Sequence, residues 1–214
     1  DGFFEAEESG VIFEAGAQTF VQVNAGVRGK LYEGALSALE GTGAEAVVDC
    51  YSGAGLLTAM IARRFDRAYG IEISSEAVLC ADRLKERNGL LNMTNICGRV
   101  EEQLPAVLEK ERGKKLALVL DPPRAGVDRG VLRAILHSGI EHLVLISCNP
   151  ATLARDLGIL TGTLAEETGG LLVKGDGNGV YAVSSLQPFD MFPQTKHVET
   201  LVLLSKKKPD SHIV

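Results

Sequence analysis

The segment 47–57 reads Val47-Val48-Asp49-Cys50-Tyr51-Ser52-Gly53-Ala54-Gly55-Leu56-Leu57. Its apolar start predicts a strand, its glycine-rich centre a tight loop, and its apolar end the first turn of a helix. Gly53 and Gly55 allow the backbone to approach a ligand closely where the helix begins. Thr58 stands where a pyrophosphate-binding loop has its third glycine, which disfavours a dinucleotide and leaves room for a ligand without phosphates.

Apolar runs of strand length recur on both sides of this segment. They are Ala46–Asp49, Ala68–Glu72, Leu116–Leu120, Leu143–Ser147, Tyr181–Leu186 and Leu201–Leu204. Helical patterns separate the earlier runs, which is typical of a parallel sheet with helices on both faces. The last two runs have no helical pattern between them, so we expect an antiparallel pair at the sheet edge. Ahead of the sheet, Val11–Phe13 and Thr19–Val23 are predicted to be short strands and Ala25–Leu39 an amphipathic helix.

Composition excludes several classes of protein. The chain has 214 residues, a net charge of −6 and four cysteines without a CxxC pair, so neither a zinc site nor an iron–sulfur site is predicted. No apolar run approaches the roughly 20 residues of a membrane span, and the start of the chain is acidic. We therefore expect a soluble, cytoplasmic protein. The acidic balance argues mildly against a chain that grips nucleic acid by itself, and Lys206–Lys208 is predicted to be a solvated tail.

Two acidic residues are predicted at the carboxyl ends of strands, where open α/β sheets bind ligands. Glu72 ends the second run, and a carboxylate there can accept hydrogen bonds from both ribose hydroxyls of a nucleoside. Asp121 opens the sequence Asp121-Pro122-Pro123-Arg124 after the next run. The alternatives are a surface acid at Glu72 and an ordinary Asp-Pro-Pro turn at Asp121.

Cys148 lies in Ser147-Cys148-Asn149-Pro150, between an apolar run and a helical pattern. Asn149 can cap that helix and Pro150 suits its first turn, so the sulfur is expected near the positive end of the helix dipole. Such an environment is predicted to favour thiolate over thiol. The alternative is a small buried residue that ends a strand.

Glu199 lies where the last strand is predicted to begin. The preceding loop, residues 187–198, contains two prolines and two phenylalanines, so we expect it to be stiff and apolar and Glu199 to be partly dry, with its pKa raised toward the range of a useful base. Because Cys148 and Glu199 come from the ends of separate strands of one sheet, they can converge. A solvated acid at a strand start is the alternative.

Together these residues resemble the uridine-5 RNA methyltransferases, which make 5-methyluridine in transfer RNA and in ribosomal RNA such as 23S rRNA. The matching segments are Phe20–Asn24, Asp49–Gly55, Asp121–Gly126, Ser147–Pro150 and Phe192–Glu199. The resemblance implies a class I S-adenosylmethionine-dependent methyltransferase fold, a Rossmann-like α/β sheet. It implies Cys148 as nucleophile, Glu199 as base, no metal, and a set of residues around S-adenosylmethionine: Gln22, Tyr51, Gly53, Gly55, Glu72 and Asp121.

The chemistry of that family explains the residue types. Carbon 5 of uracil is a poor nucleophile, so Cys148 would first add to carbon 6, carbon 5 would take the methyl group, and Glu199 would then remove the carbon 5 proton. A uracil inside structured RNA must be flipped out to reach both side chains. We expect RNA as the partner and a monomeric protein.

The sequence also departs from the family pattern. Ser52 stands where the family often has a cysteine, and residues 161–179 are longer than the usual connection, as in a surface insertion. Residues 1–45 are predicted to form an N-terminal extension that packs on the methyl-donor site, and residues 46–214 the catalytic domain. The family's N-terminal RNA-binding barrel is not expected in this chain.

Other functions stay open at this point. An amino-group methyltransferase could use the Asp-Pro-Pro turn but needs no cysteine, and a cytosine-5 RNA methyltransferase usually has its cysteine near a Pro-Cys turn, whereas position 124 is Arg. A catalytically silent RNA-binding module could keep the fold. Within the uridine-5 family, the Cys148 segment favours 23S rRNA over transfer RNA.

Overall fold

The computed structural model describes residues 4–15, 25–167, 170–191, 194–195 and 198–207. Within those ranges the chain forms one large sheet, two small antiparallel hairpins and six helices. The elements are β1 (Phe4–Glu8), β2 (Val11–Ala15), α1 (Ala25–Glu40), β3 (Ala46–Cys50), α2 (Leu56–Ala62), β4 (Arg67–Glu72), α3 (Ser75–Arg87), β5 (Met93–Cys97), α4 (Val100–Lys110), β6 (Leu116–Leu120), α5 (Arg129–Ser138), β7 (His142–Ser147), α6 (Pro150–Thr161), β8 (Leu164–Glu166), β9 (Leu172–Lys174), β10 (Tyr181–Phe189) and β11 (Glu199–Lys206).

The large sheet has seven strands in the order β10-β11-β7-β6-β3-β4-β5. The five strands from β7 to β5 are parallel, whereas β11 is antiparallel to both of its neighbours. The predicted α/β class and its C-terminal antiparallel pair are thus confirmed. From β3 the chain goes first to β4 on one side and later to β6 on the other. Ligands of open α/β sheets bind in the crevice at such a reversal, beyond the carboxyl ends of the strands.

Helices cover both faces of this sheet, as the alternation of strand and helix predicts. On one face α1, α2 and α3 pack with Val47 of β3 in a single apolar cluster. On the other face α4, α5 and α6 pack with Val48 and Cys50 of the same strand. Successive side chains of a strand point to opposite faces, so Asp49 points toward α2, where the helix that follows the glycine loop begins.

The predicted strands and helix that fall among the described residues agree with the structure apart from their ends, and four further strands, β1, β5, β8 and β9, were not predicted. In β5 only Met93 is fully buried, so this edge strand has no apolar run. The residues of β1, Phe4–Glu8, are mostly acidic, and they pair with β2 in a hairpin. The predicted strand Thr19–Val23 lies outside the described residues.

The N-terminal elements pack on the same face of the sheet as α2. Val11 and Phe13 of β2 and Leu31 of α1 belong to the apolar cluster on that face, β2 contacts α2 and α3, and α1 contacts β7 and β11. The boundary between an extension and a catalytic domain near residue 45 stays a prediction.

The segment predicted to be a surface insertion forms the β8–β9 hairpin, which packs on the end of α6. A Cβ atom on Gly158 of α6 would lie 2.6 Å from Leu164 Cδ1, so glycine is needed for this close approach. No helix in the described part of the chain has the length and apolar character to span a membrane.

Candidate active site

Most of the sequence-predicted site residues lie at the carboxyl edge of the parallel strands. Tyr51 directly follows β3 and Asp121 directly follows β6. The last residues of these two strands, Cys50 and Leu120, are paired in the sheet, so Tyr51 and Asp121 leave it side by side.

The nucleophile and base candidates reach the same edge through the antiparallel strand. Ser147 at the end of β7 is the cross-strand partner of Thr200 in β11. Cys148 is the residue after Ser147, and Glu199 is the residue before Thr200. Because an antiparallel strand begins where its neighbour ends, the register places Cys148 and Glu199 next to each other.

The glycine loop has an unusual backbone at three positions. Tyr51, Gly53 and Gly55 have φ values of 68°, 54° and 82°, a region that favours glycine. At Gly55 a Cβ would lie 2.7 Å from the Cβ of Ala81, whereas at Gly53 it would meet nothing within 4 Å. Gly55 is therefore required by packing against α3, and Gly53 leaves open space above the loop.

Glu72 ties the end of β4 to this loop. Its Oε2 accepts a hydrogen bond from the Gly53 N–H at 3.0 Å, and its Oε1 accepts one from the Ser74 N–H at 2.9 Å. A carboxylate has about four lone-pair positions, so these two bonds orient Glu72 and still leave acceptor capacity for a ligand at the half-buried edge.

Asp49 is a site residue to which the sequence interpretation gave no role. It is 1% exposed, and the Thr58 hydroxyl donates to its Oδ2 at 2.6 Å. Burial raises its pKa to about 7, and the charge of Glu72 adds to this effect. The hydrogen bond from Thr58 thus anchors α2 to β3. The signal that could have identified Asp49 was an acidic residue within the apolar run Val47-Val48-Asp49-Cys50.

Asp121 and Tyr51 also have perturbed titration. Burial, followed by the charges of Glu199 and Asp49, raises the pKa of Asp121 to about 8. Burial raises the pKa of Tyr51 to about 12, and the Tyr51 hydroxyl accepts a hydrogen bond from the Asp128 N–H at 3.4 Å. Glu199 therefore lies close enough to Asp121 for their charges to interact across the site.

The predicted activation of Cys148 is wrong in its direction. The side chain is half-buried at the start of α6, and its pKa is raised above the ordinary thiol value. Burial is the main cause and the charge of Glu199 the second, while the Arg124 side chain lowers the pKa. The start of α6 does not lower the pKa of Cys148 below the ordinary value, because side chains of the cap accept the N–H groups there. The Ala151 N–H donates to Asn149 Oδ1 at 3.1 Å, and the Asn149 N–H donates to Ser147 Oγ at 3.2 Å.

Glu199 is buried, with 3% of its surface exposed, so the dry environment predicted for it is observed. The loop before it is only partly described: Phe192, Pro193, Lys196 and His197 lie outside the described residues. The same holds for Gln22, predicted to contact the methyl donor, and the structure therefore places five of the six methyl-donor candidates: Tyr51, Gly53, Gly55, Glu72 and Asp121.

In the part of the chain that the structure describes, one cavity lies near the carboxyl edge of the parallel strands and another near their amino ends. The first, of about 300 Å³, adjoins the loop after β6 and is lined by Tyr51, Gly126, Arg155 and their neighbours. The second, of about 510 Å³, lies at the amino ends of the strands, and its described lining residues include no predicted site residue. Since the titratable groups converge at the carboxyl edge, the smaller cavity is the one next to the chemistry. Among the described residues there is no group of three or more His, Cys, Asp or Glu side chains that could hold a metal ion.

Several solved structures similar to this one are methyltransferases. A tRNA (uracil-54, C5)-methyltransferase of Pyrococcus abyssi, solved with S-adenosyl-L-homocysteine, aligns with a TM-score of 0.75 and 23% identity over 94% of this chain and 44% of that one. An rRNA methylase of Streptococcus thermophilus aligns with a TM-score of 0.59 and 18% identity over 83% of this chain and 97% of that one. At these identities the similarity shows the fold, that of S-adenosylmethionine-dependent methyltransferases.

Sequence relatives are closer. Uncharacterized RNA methyltransferases of Clostridium acetobutylicum and Thermosynechococcus vestitus are 38% and 39% identical over 91% and 93% of this chain. The chain spans 38% and 40% of the length of these two relatives. The family model for tRNA (uracil-5-)-methyltransferase matches residues 4–207. This chain therefore belongs to the tRNA (uracil-5-)-methyltransferase family.

Proposed function

We propose that this chain catalyses S-adenosylmethionine-dependent methylation of carbon 5 of a uridine in RNA, through a covalent bond between Cys148 and uracil carbon 6. The single observation that carries the proposal is the pairing of Ser147 with Thr200, which places a cysteine next to a buried glutamate. Family membership supports an RNA substrate. A nucleophile and a base on neighbouring strands are the two groups this chemistry needs.

The residues at the carboxyl edge fit a nucleoside-containing methyl donor. The open space above Gly53 admits a ligand against the backbone, and the Glu72 carboxylate keeps acceptor capacity for ribose hydroxyls. Tyr51, Gly55 and Asp121 complete the described set, and Gln22 is proposed as a further contact. S-adenosylmethionine supplies an electrophilic methyl group to this edge.

Cys148 and Glu199 act in sequence on the uracil ring. The Cys148 sulfur bonds to carbon 6, and the electron pair of the carbon 5–carbon 6 double bond moves to carbon 5, which accepts the methyl group. Glu199 then takes the carbon 5 proton, and the pair left behind reforms the double bond as the sulfur departs. Since the pKa of the Cys148 thiol is raised, its proton must pass to solvent at the half-buried sulfur before the attack. The neighbouring Arg124 charge favours the thiolate, and Glu199 stays ionised to take the carbon 5 proton later.

The target uridine is proposed to be flipped out of a structured RNA. 23S rRNA is the favoured substrate, on the sequence of the Cys148 segment, and transfer RNA is the alternative. Incubation with radiolabelled methyl donor and transcripts of each RNA would distinguish them, because label should enter only the substrate.

The decisive experiment uses RNA in which uridine is replaced by 5-fluorouridine. Glu199 cannot remove fluorine, so the covalent intermediate should accumulate as an adduct that survives denaturation and carries the methyl label. Cys148→Ala should form no adduct. Cys80→Ala, which changes another half-buried cysteine, should form as much as the wild type. No adduct from wild-type protein that binds the methyl donor by calorimetry would contradict the mechanism and favour a silent RNA-binding module.

A further inference from the structure

Asp156 is a buried acid that the proposed reaction does not use. It lies on α6, the helix that begins just after Cys148, and is 1% exposed. Buried carboxylates are costly unless hydrogen-bonded or ion-paired, so the partners of Asp156 show what it holds in place.

Those partners join α6 to the loop of residues 121–127, which we call the Asp121 loop. Asp156 Oδ2 accepts a hydrogen bond from the Val127 N–H at 2.8 Å. Its Oδ1 accepts one from Arg155 Nε at 2.8 Å, and Arg155 Nη2 donates to the Val127 carbonyl at 3.2 Å. Two neighbouring side chains of α6 thus hold both backbone polar groups of Val127.

The Asp121 loop is shaped to bring its backbone against this carboxylate. Gly126 has φ +83°, and a Cβ atom there would lie 2.6 Å from Asp156 Oδ2 and 2.5 Å from Arg155 Nη2. Only glycine permits both the backbone conformation and the close approach.

A second attachment lies at the start of α6. Asn149 Nδ2 and Thr152 Oγ1 both donate to the carbonyl of Arg124, at 3.2 and 3.3 Å. The Asp121 loop is therefore held by α6 at Arg124 and at Val127, while the same helix carries Cys148 at its start.

We propose that Asp156 is a positioning residue for methyl transfer: by fixing the Asp121 loop to α6, it sets Asp121 and Arg124 relative to the Cys148 sulfur. This inference rests on the proposed function. A merely structural role for Asp156 would predict lower stability with no change in the surroundings of the sulfur. Positioning predicts that loss of the carboxylate moves Arg124 away from Cys148.

The thiol reports this geometry without any RNA. Cys148 faces Glu199 from β11 and Arg124 from the Asp121 loop, and the charge of Glu199 also acts on Asp121. In Asp156→Ala, retreat of the Arg124 charge should shift the pH midpoint of Cys148 alkylation by iodoacetamide upward, as measured by mass spectrometry of the cysteine peptides. Exposed Cys97 supplies an internal reference rate, and buried Cys50 becomes reactive only if the protein unfolds.

The matched control is Glu111→Gln. Glu111 is likewise a buried acid, 2% exposed and paired with Arg67 at 2.7 Å, but it lies at the amino edge of the sheet. This variant can lose stability and should leave the Cys148 midpoint unchanged. A midpoint in Asp156→Ala equal to that of Glu111→Gln would overturn the proposal.

Two further measurements complete the test. If Asp156→Ala makes Cys50 reactive, the decision passes to Asp156→Asn. This variant keeps an acceptor for the Val127 N–H but loses the charge that pairs with Arg155 and orients it on the Val127 carbonyl. An intermediate midpoint supports positioning, and a wild-type midpoint overturns it. In the 5-fluorouridine assay, at saturating methyl donor, the rate of adduct formation should fall by about tenfold or more in Asp156→Ala. Absence of any adduct in the wild type would reject uridine methylation, while the alkylation comparison would still decide the role of Asp156.

Discussion

At the scale of single residues, the site brings together Cys148, the proposed nucleophile, and Glu199, whose negative charge disfavours the thiolate form of the cysteine. Burial and the charge of Glu199 raise the pKa of the Cys148 thiol, and the same carboxylate raises that of Asp121. A thiol that stays protonated at neutral pH is less exposed to oxidation and to chance alkylation. Under the proposed mechanism, the thiolate of Cys148 must therefore form as part of the reaction.

Glu199→Gln separates the effect of the Glu199 charge on the pKa of Cys148 from the proposed role of Glu199 as the base. Loss of the negative charge should lower the pKa of Cys148, and below that pKa each half-unit fall increases the thiolate fraction by about threefold. Alkylation of Cys148 at pH 7 should therefore become faster, although the proposed methyl transfer should be lost with the proposed base. Mass spectrometry of the cysteine peptides would measure the rate.

The matched control for this change is Glu141→Gln, an exposed acid at the opposite end of β7, which should leave the rate as it is. An unchanged rate in Glu199→Gln would show that its carboxylate does not act on the sulfur.

At the scale of elements, the junction of β3 and α2 depends on close packing. Gly55→Ala should destabilise the protein for two reasons: a left-handed backbone costs roughly 1–2 kcal/mol for a residue with a side chain, and the added Cβ would meet Ala81 at 2.7 Å. Chemical denaturation would measure the loss, and calorimetry should show weaker donor binding.

Gly43→Ala is the control for backbone strain. Gly43 has φ +67° with nothing within 4 Å of the added Cβ, so only the conformational cost applies. Equal destabilisation in the two variants would show that the Cβ added at position 55 is accommodated against Ala81 without cost.

Several elements were predicted because their sequences carry a clear apolar run or a clear helix cap. β3, β6 and β7 are continuous apolar runs because both of their faces are covered, and α6 has a cap that is readable at Asn149 and Pro150. The half-buried edge strand β5 gave no such pattern. The sequence predicted that Glu199 could converge with Cys148. It did not predict that burial, together with the charge of Glu199, would outweigh the Arg124 charge and raise the pKa of the thiol, because burial depends on the packing of the whole fold.

At the scale of the whole molecule, buried acids should make stability depend on pH. Unfolded aspartates titrate near pH 4, whereas burial raises the pKa of Asp49 to about 7 and that of Asp121 to about 8. Between these values the native state binds more protons than the unfolded state. Their contribution to the free energy of unfolding should therefore fall as pH rises from about 4 to about 8 and then level off.

Asp49→Asn tests this dependence, because asparagine keeps an acceptor for the Thr58 hydroxyl. Urea denaturation from pH 5 to 9 should give a shallower decline for this variant than for the wild type. Asp66→Asn, at an exposed position, should leave the slope as it is. A slope in Asp49→Asn that equals the wild-type slope would mean that Asp49 ionises normally in the folded protein.

The position of β11 also constrains the order in which the chain can assemble. This strand lies between β7 and β10, although β10 precedes it in the chain. In the described sheet β10 therefore has no place to pair until β11 arrives, and the two must dock together or β11 must go first. Contacts that close long stretches of chain form late because their entropic cost is high. During synthesis Cys148 therefore leaves the ribosome well before Glu199, and the two side chains can come together only after the C-terminal strand pair has docked on β7.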